Sequence, residues 1–322
     1  MSHLQKRLLQ LIPVFFVVTF SSYFMLDLLP GDITDAILSD QDAGTIADGA
    51  AKEALARQLN LDKPVIIRYA LWLGNVFQGD FGRSYVTTQP VAEALADRIP
   101  VSFQLMFMSQ IIALLIAVPL GVFVGQRAGE PIDRMVSTGA FALLSVPIFV
   151  IGTALIWLFS IRLGLLPSSG HTDFADDAWR NIQGFILPAI TIAAIEVPIL
   201  MRVLRTDIIT TLQEDFIALA KAKGLSNSRI LFFHALRPSL FTFITVLGLQ
   251  LGNLIAGSVV VESLFSIPGV GKLLIESVDS RDEIMVQGVV TFVAIVYVVA
   301  NLLVDLLYAV CLLYTSPSPR DS

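Results

Sequence analysis

Six runs of mostly apolar residues limit what this chain can become: Leu8–Leu26, Val101–Gly125, Val136–Ile161, Phe185–Met201, Phe241–Val261 and Met285–Val310. A helix rising about 1.5 Å per residue needs roughly 20 such residues to cross the hydrocarbon of a bilayer. Lipid offers no partner for backbone N–H and C=O groups, so each run must satisfy its own backbone as a helix. The expected fold is all-α: a polytopic bundle of six transmembrane helices. The fourth run is the shortest and carries Pro188, Glu196 and Pro198. The first follows Lys6 and Arg7 as a signal peptide would, but no small-residue cleavage site comes after it, so it is expected to be a retained span. Composition points the same way. Apolar residues make up 55% of the chain and charged residues 15%, with a mean hydropathy of +0.75.

The net charge of -6 excludes a strongly basic nucleic-acid binder, so no nucleic-acid partner is expected. Three histidines (His3, His171, His234) and one cysteine (Cys311) leave no disulfide framework and no zinc-type cluster, and no metal is expected. Lysine and arginine in short loops set orientation. With the N-terminus inside, the inner side collects Lys6, Arg7, Arg127, Arg134, Arg202, Arg205, Lys221, Lys223, Arg229 and Arg237. The short outer loops hold Arg162, Arg180, Lys272 and Arg281. Both termini are therefore expected in the cytoplasm.

Four regions follow. Residues 1–29 form the N-terminal tail and first span, and 30–100 an outer helical segment. Residues 101–310 form a five-helix core containing a cytoplasmic loop at 202–238, and 311–322 a Ser/Pro-rich tail that looks foreign. In the outer segment, Ala47–Leu59 has helix-forming composition. Val65–Phe77 follows Pro64 and puts Ile66, Tyr69, Leu73 and Phe77 roughly on one face. Pro90–Ile99 reads as a short helix stopping at Pro100. The loop at 202–238 is too polar to span and too patterned for disorder. Asp215–Lys223 reads as a helix ended by Gly224, and Ser226 as the N-cap of a second helix through Leu236, with Pro238 closing the loop. An ordinary positive-inside loop is the plainer alternative.

At this loop the sequence resembles the permeases of ABC importers, whose cytoplasmic signature is Glu-Ala-Ala, three residues, Gly, then about nine residues and Ile-x-Leu-Pro. The corresponding residues are Ala218-Leu219-Ala220, Lys221-Ala222-Lys223, Gly224 and His234-Ala235-Leu236-Arg237-Pro238. Ala218 stands where the signature has Glu, as in the peptide-class version with its Ala-Lys-Ala-Lys-Gly-Leu run through Leu225. Other segments resemble the dipeptide/oligopeptide/nickel branch: Leu29-Pro30-Gly31-Asp32, Leu59 to Pro64, Gly79 to Ser84, Leu163 to Pro167, Gly248 to Gly252 with Glu262, Pro268 to Gly271, Gln287 to Val290, and Asn301 to Asp305.

The resemblance implies an inner-membrane permease that works by alternating access on peptides or related small solutes. It implies three partner types besides lipid: a second homologous permease, two cytoplasmic ATPase subunits and an extracytoplasmic substrate-binding protein. ATP and magnesium would sit on the ATPases, with no cofactor on this chain. The loop residues Ala218, Ala220, Lys221, Lys223, Gly224, Leu225, His234, Ala235, Leu236 and Pro238 would form the coupling helix seated in an ATPase groove. Dipeptide, oligopeptide, glutathione-like, nickel-chelate and sugar cargoes all stay open. The rival from another class is a stand-alone secondary transporter or channel, which would carry inverted repeats and ionisable residues on several spans.

No catalytic motif is complete in the sequence. Ile267 to Lys272 imitates the end of a phosphate loop, but Ser266 occupies the first glycine position and Leu273 the hydroxyl position. Within the spans, Gly248, Gly252 and Ala256 recur every four residues as a small-residue face suited to helix packing. Gln104, Gln110, Glu196, Gln250, Asn253, Asn301 and Asp305 are polar at membrane depth and should face protein or water. Among them Glu196, Gln250 and Asn253 are candidates for the translocation path.

Overall fold

The structure is a computed structural model. It describes residues 3–27 and 62–315, and within them the side chains of 12–24, 62–250, 254, 257–304 and 306. The helix expected at Ala47–Leu59, and the motifs at Leu29–Asp32 and Leu59–Leu61, lie outside the described residues. Eleven helices occur among the described residues: α1 His3–Asp27, α2 Val65–Val76, α3 Val91–Gln126, α4 Pro131–Leu144, α5 Ile148–Leu155, α6 Ala178–Thr211, α7 Asp215–Ala222, α8 Asn227–Arg229, α9 Leu236–Leu264, α10 Val270–Asp279 and α11 Glu283–Thr315. π-helical turns extend α5 over Ile156–Arg162 and join α8 to α9 over Ile230–Ala235. Four stretches are long and apolar enough to cross a membrane: α3, α6, the continuous helix Asn227–Gln250, and Glu283–Val304 of α11. The pair α4–α5, bent at the break between its helices, brings the number to five if it is counted as one span. The protein is a multi-pass, all-helical membrane protein.

Several boundaries differ from the sequence expectation. α3 runs straight through Pro100 instead of starting after it. Its missing N–H forfeits one intrahelical bond, a loss of about 3 kcal/mol in a helix interior. Burial on both sides of the proline, at Val91, Ala94, Leu95 and Leu105, outweighs that loss. At 36 residues, α3 overhangs a hydrocarbon layer of about 30 Å. The run expected as one span at Val136–Ile161 is two helices bent by 101°. Pro147 sits at the bend with extended backbone (φ -58°, ψ 141°) and N-caps α5. The short fourth run is the middle of 34-residue α6; Arg202, Arg205 and Asp207 continue the helix, but a hydropathy reading sees only its apolar middle. Pro238 does not close the loop either, because it lies in the first turn of α9, which continues the helix from Asn227. The π turn just upstream widens the helix where the ring would otherwise meet a carbonyl.

The chain divides into two compact units, Met1–Ile99 with Leu273–Val298, and Pro100–Lys272 with Val299–Ser322. In the first, α2 starts after Pro64, whose carbonyl accepts from the Ile67 and Arg68 amides at 2.9 and 3.1 Å. α2 buries Tyr69, Leu73 and Val76, while Ile66 and Phe77 are exposed, so its inner face is rotated from the expected one. Tyr69 packs on α1, its hydroxyl 2.8 Å from the Thr19 hydroxyl and its ring edge-on to Phe20. Residues 82–91 form a hairpin-like turn, with Val91 N–H donating to the Gly82 carbonyl at 3.0 Å. Ser84 in that turn donates to the buried Asp282 carboxylate, and Asp282 also accepts from the Met285 amide in the first turn of α11. Burial, then the neighbouring Asp282 and Glu283 carboxylates, push the Tyr85 phenol above its ordinary pKa.

In the second unit α6 is the central helix: α4, α5 and α9 all pack on it. Of its most apolar stretch 61% is buried inside the protein, against 28% for Asn227–Gln250. Asp177 caps its start by accepting from the Arg180 amide at 3.0 Å. Two apolar clusters run along it, one around Phe185, Leu187 and Ile192, the other around Leu200, Leu204 and Ile208.

Candidate functional site

The segment after α6 is built by local chemistry. α7 ends in a Schellman turn: the Gly224 amide donates to the Lys221 carbonyl at 2.9 Å and the Leu225 amide to the Ala220 carbonyl at 3.3 Å. This turn needs a left-handed residue, and Gly224 supplies it at φ +74°. Leu225 then folds back on Ile217, Ala220 and Ile230, a small core that holds α7 against the helix that follows. Ser226 N-caps that helix, accepting from the Arg229 amide at 3.4 Å.

With its inner face taken up by that core, the element turns Phe216, Leu219, Phe232 and Phe233 outward, each 46–56% exposed. Ala218, Lys221 and Lys223 share the exposed surface, and His234 is half-buried. A 650 Å³ groove lies among Ser228, Arg229, Phe232, Phe233, His234 and Arg237. Ala235 is buried, Leu236 half-buried and Pro238 exposed.

The candidate path residues separate. Glu196 is 4% exposed on α6. Its Oε1 accepts from Gln250 Nε2 on α9 at 3.4 Å, and its Oε2 is buried with no hydrogen-bond partner among the described residues. Gln110 on α3 likewise buries both amide atoms without a partner among them. Asn253, Gly252, Ala256 and Asp305 have side chains outside the described set. Gly248 packs against Val304 of α11, so close that an added Cβ would lie 2.5 Å from a valine methyl. Gln104 is a structural group, donating to Asn181, which in turn donates to the Thr172 carbonyl at 2.7 Å.

Two arrangements were not legible in the sequence. Glu262 is fully buried at the end of α9 and accepts from Ser102 Oγ at 2.7 Å and from the Lys272 amide at 3.0 Å. The Lys272 amide of the phosphate-loop look-alike is thus taken up by the chain's own carboxylate. Asp133 at the start of α4 and Arg205 on α6 form a two-toothed ion pair, Nε–Oδ1 2.5 Å and Nη2–Oδ2 2.6 Å. The only sequence hint is that each is a charge just beyond an apolar run on the same expected side.

The comparisons with known proteins agree with this architecture. Residues 117–311 match the model for the binding-protein-dependent transport system inner membrane component. A Brucella abortus protein provisionally named a peptide transport system permease protein is 36% identical over 312 residues, covering 95% of this chain and 96% of that protein. The glutathione transport system permease protein GsiC of Escherichia coli K12 is 35% identical over 309 residues, covering 96% and 97%. Among solved structures, an inward-facing form of the MetNI methionine ABC transporter aligns with a TM-score of 0.57 at 16% identity, over 67% of this chain and 95% of that one. An amino acid ABC transporter aligns at 0.53 and 14% identity, over 67% and 94%. At those identities the structures speak for the fold, and the long sequence matches carry the family. The chain belongs to the inner membrane components of binding-protein-dependent transport systems, the permeases of ABC importers.

Proposed function

We propose that this chain, with a second permease, forms the path of an importer for peptides or related small solutes. A binding protein delivers the solute to the outer face. ATP, held with magnesium on two cytoplasmic ATPase subunits, drives the switch between outward and inward openings. The ATPases do the bond chemistry and this chain moves cargo. The membrane is the inner one, α1 is the first of six spans, and both termini are cytoplasmic. The chain divides in function into 1–29, 30–100, 101–310 and 311–322. The peptide and glutathione names of the relatives favour short peptides over nickel chelates or sugars as cargo. Glu196, with Gln250 and Asn253, lines the path and accommodates a cationic group such as a peptide amino terminus.

The observation that carries this reading is the helix–Gly224–helix element. A polar loop that spends its own small core on holding two helices together, and leaves four large apolar side chains outside, is built to be covered by a partner. Ala218 to Leu225 and His234 to Pro238 would dock on the ATPase. The test is at Gly224. An added Cβ there meets nothing within 4 Å, so any cost of substitution comes from φ +74° alone. For a β-branched residue that cost is at least about 1–2 kcal/mol, and asparagine tolerates the region far better. In vesicles holding the assembled importer, Gly224→Val should insert normally, while transport per ATP hydrolysed falls on the order of tenfold. Gly224→Asn should keep most of it. Full transport by Gly224→Val would sink the coupling reading.

A further inference from the structure

The Asp133–Arg205 pair lies outside everything the coupling element itself explains. Asp133 is 2% exposed, yet its carboxylate receives four donors. Arg205 contributes Nε and Nη2, the Gly129 amide donates to Oδ2 at 2.9 Å, and Ser137 Oγ donates to Oδ1 at 3.3 Å. Gly129 reaches this position with φ +85°. A planar guanidinium held by both teeth fixes orientation as well as distance, which a single ammonium contact does not.

The elements joined by this pair matter more than its strength. Arg205 sits on α6 six residues before Thr211, and residues 212–214 lead directly into α7 of the 202–238 segment. Asp133 sits in the first turn of α4, the helix that bends 101° into α5. A second tie runs between the same helices: the Arg202 guanidinium lies 5.1 Å over the Phe141 ring of α4. The same end of α6 is also seated on α3, where a Cβ at Gly121 would lie 3.0 Å from the Met201 carbonyl and one at Gly125 3.0 Å from Ile208. Close-packed contacts of this kind pass on a displacement instead of absorbing it.

We infer that Asp133 and Arg205 are positioning residues for transport: their two-toothed pair makes α4 move with the end of α6, so that a shift of the 202–238 segment reaches the bent α4–α5 span. This rests on the reading of that segment as the coupling element. A merely structural pair would change stability and leave the yield of transport per ATP alone.

The experiment uses the assembled importer, with its binding protein, in vesicles, and reads complex yield, ATP hydrolysis and transport per ATP. Asp133→Asn removes the charge, and Arg205→Lys keeps the charge but loses the fork. Both are expected to assemble and hydrolyse ATP, while transport per ATP falls on the order of tenfold in Asp133→Asn and less in Arg205→Lys, a scale below that of a fully buried pair because Arg205 is half-buried. The double variant should lose little more than Asp133→Asn alone, because the two act as one unit. An unchanged ratio in Asp133→Asn overturns the inference. If that variant fails to assemble, Arg205→Lys decides: a fallen ratio at ordinary yield supports the inference and a normal ratio overturns it. Gly224→Val, run beside them, separates the two readings. A normal ratio there with a fallen ratio in Asp133→Asn overturns the coupling segment's role and keeps the pair's own role in transport. The reverse overturns the inference alone.

Discussion

Glu196 concentrates the residue-scale question. A carboxylate at membrane depth is costly on every scale, by a few kcal/mol even on the lenient ones. Here one oxygen has a long contact from Gln250 and the other is buried with no partner among the described residues. Such a group wants a donor, and a solute ammonium would supply one. Hydrogen bonds to charged groups are worth about 1.5–3 kcal/mol, on the order of tenfold or more in affinity. Glu196→Gln keeps the shape and removes the charge, so it should slow import of a peptide with a free amino terminus by about that factor. Import of an N-acetylated peptide should be nearly unchanged. Competition between the two peptides in vesicles measures it, and equal behaviour of both would remove Glu196 from the path.

At the scale of elements, the outcome turns on packing that local rules do not see. Pro100 and Pro238 read as stops, and both lie inside helices because neighbouring turns are held by burial or by a π turn. Pro147 lies within the run expected as one span, and there the helix does break, bending by 101°. Gly248 shows how tight the element contacts are. An added Cβ meets Val304 at 2.5 and 2.8 Å, so Gly248→Ala should destabilise the purified protein by about 1–3 kcal/mol, the usual cost of overpacking. Val304→Ala opens the same space, so the double variant should recover most of the loss. Thermal unfolding in detergent reads both. A Gly248→Ala midpoint equal to the parent's would mean α9 and α11 do not meet closely there.

For the whole molecule, topology is the measurable property. Asp80, Asp176 and Asp279 are exposed and belong to segments assigned to the outer side; Lys223 is exposed on the segment assigned to the inner side. With Cys311 replaced by serine, single cysteines at the first three positions should react with an impermeant thiol reagent added to intact cells. One at Lys223 should react only after the membrane is opened. Outer labelling at Lys223 would invert the assignment. Family membership and the all-helical fold were legible in advance because both rest on local quantities, the length of apolar runs and the spacing of motif residues such as Lys221, Lys223 and Gly224. The Schellman turn was legible for the same reason: it needs a positive φ, and glycine takes one most cheaply.

The sequence by itself determined that the chain crosses a membrane several times and which segment is patterned for a partner, since hydropathy and capping act within a few residues. Only the tertiary structure decided which run is central, which is bent by 101°, and which charges meet. Asp133 and Arg205 are 72 residues apart, and Ser102 and Glu262 are 160 apart. A buried carboxylate is indifferent to how far along the chain its donors lie. It is satisfied by whichever helix the packing brings alongside, and that choice is made by the interior as a whole.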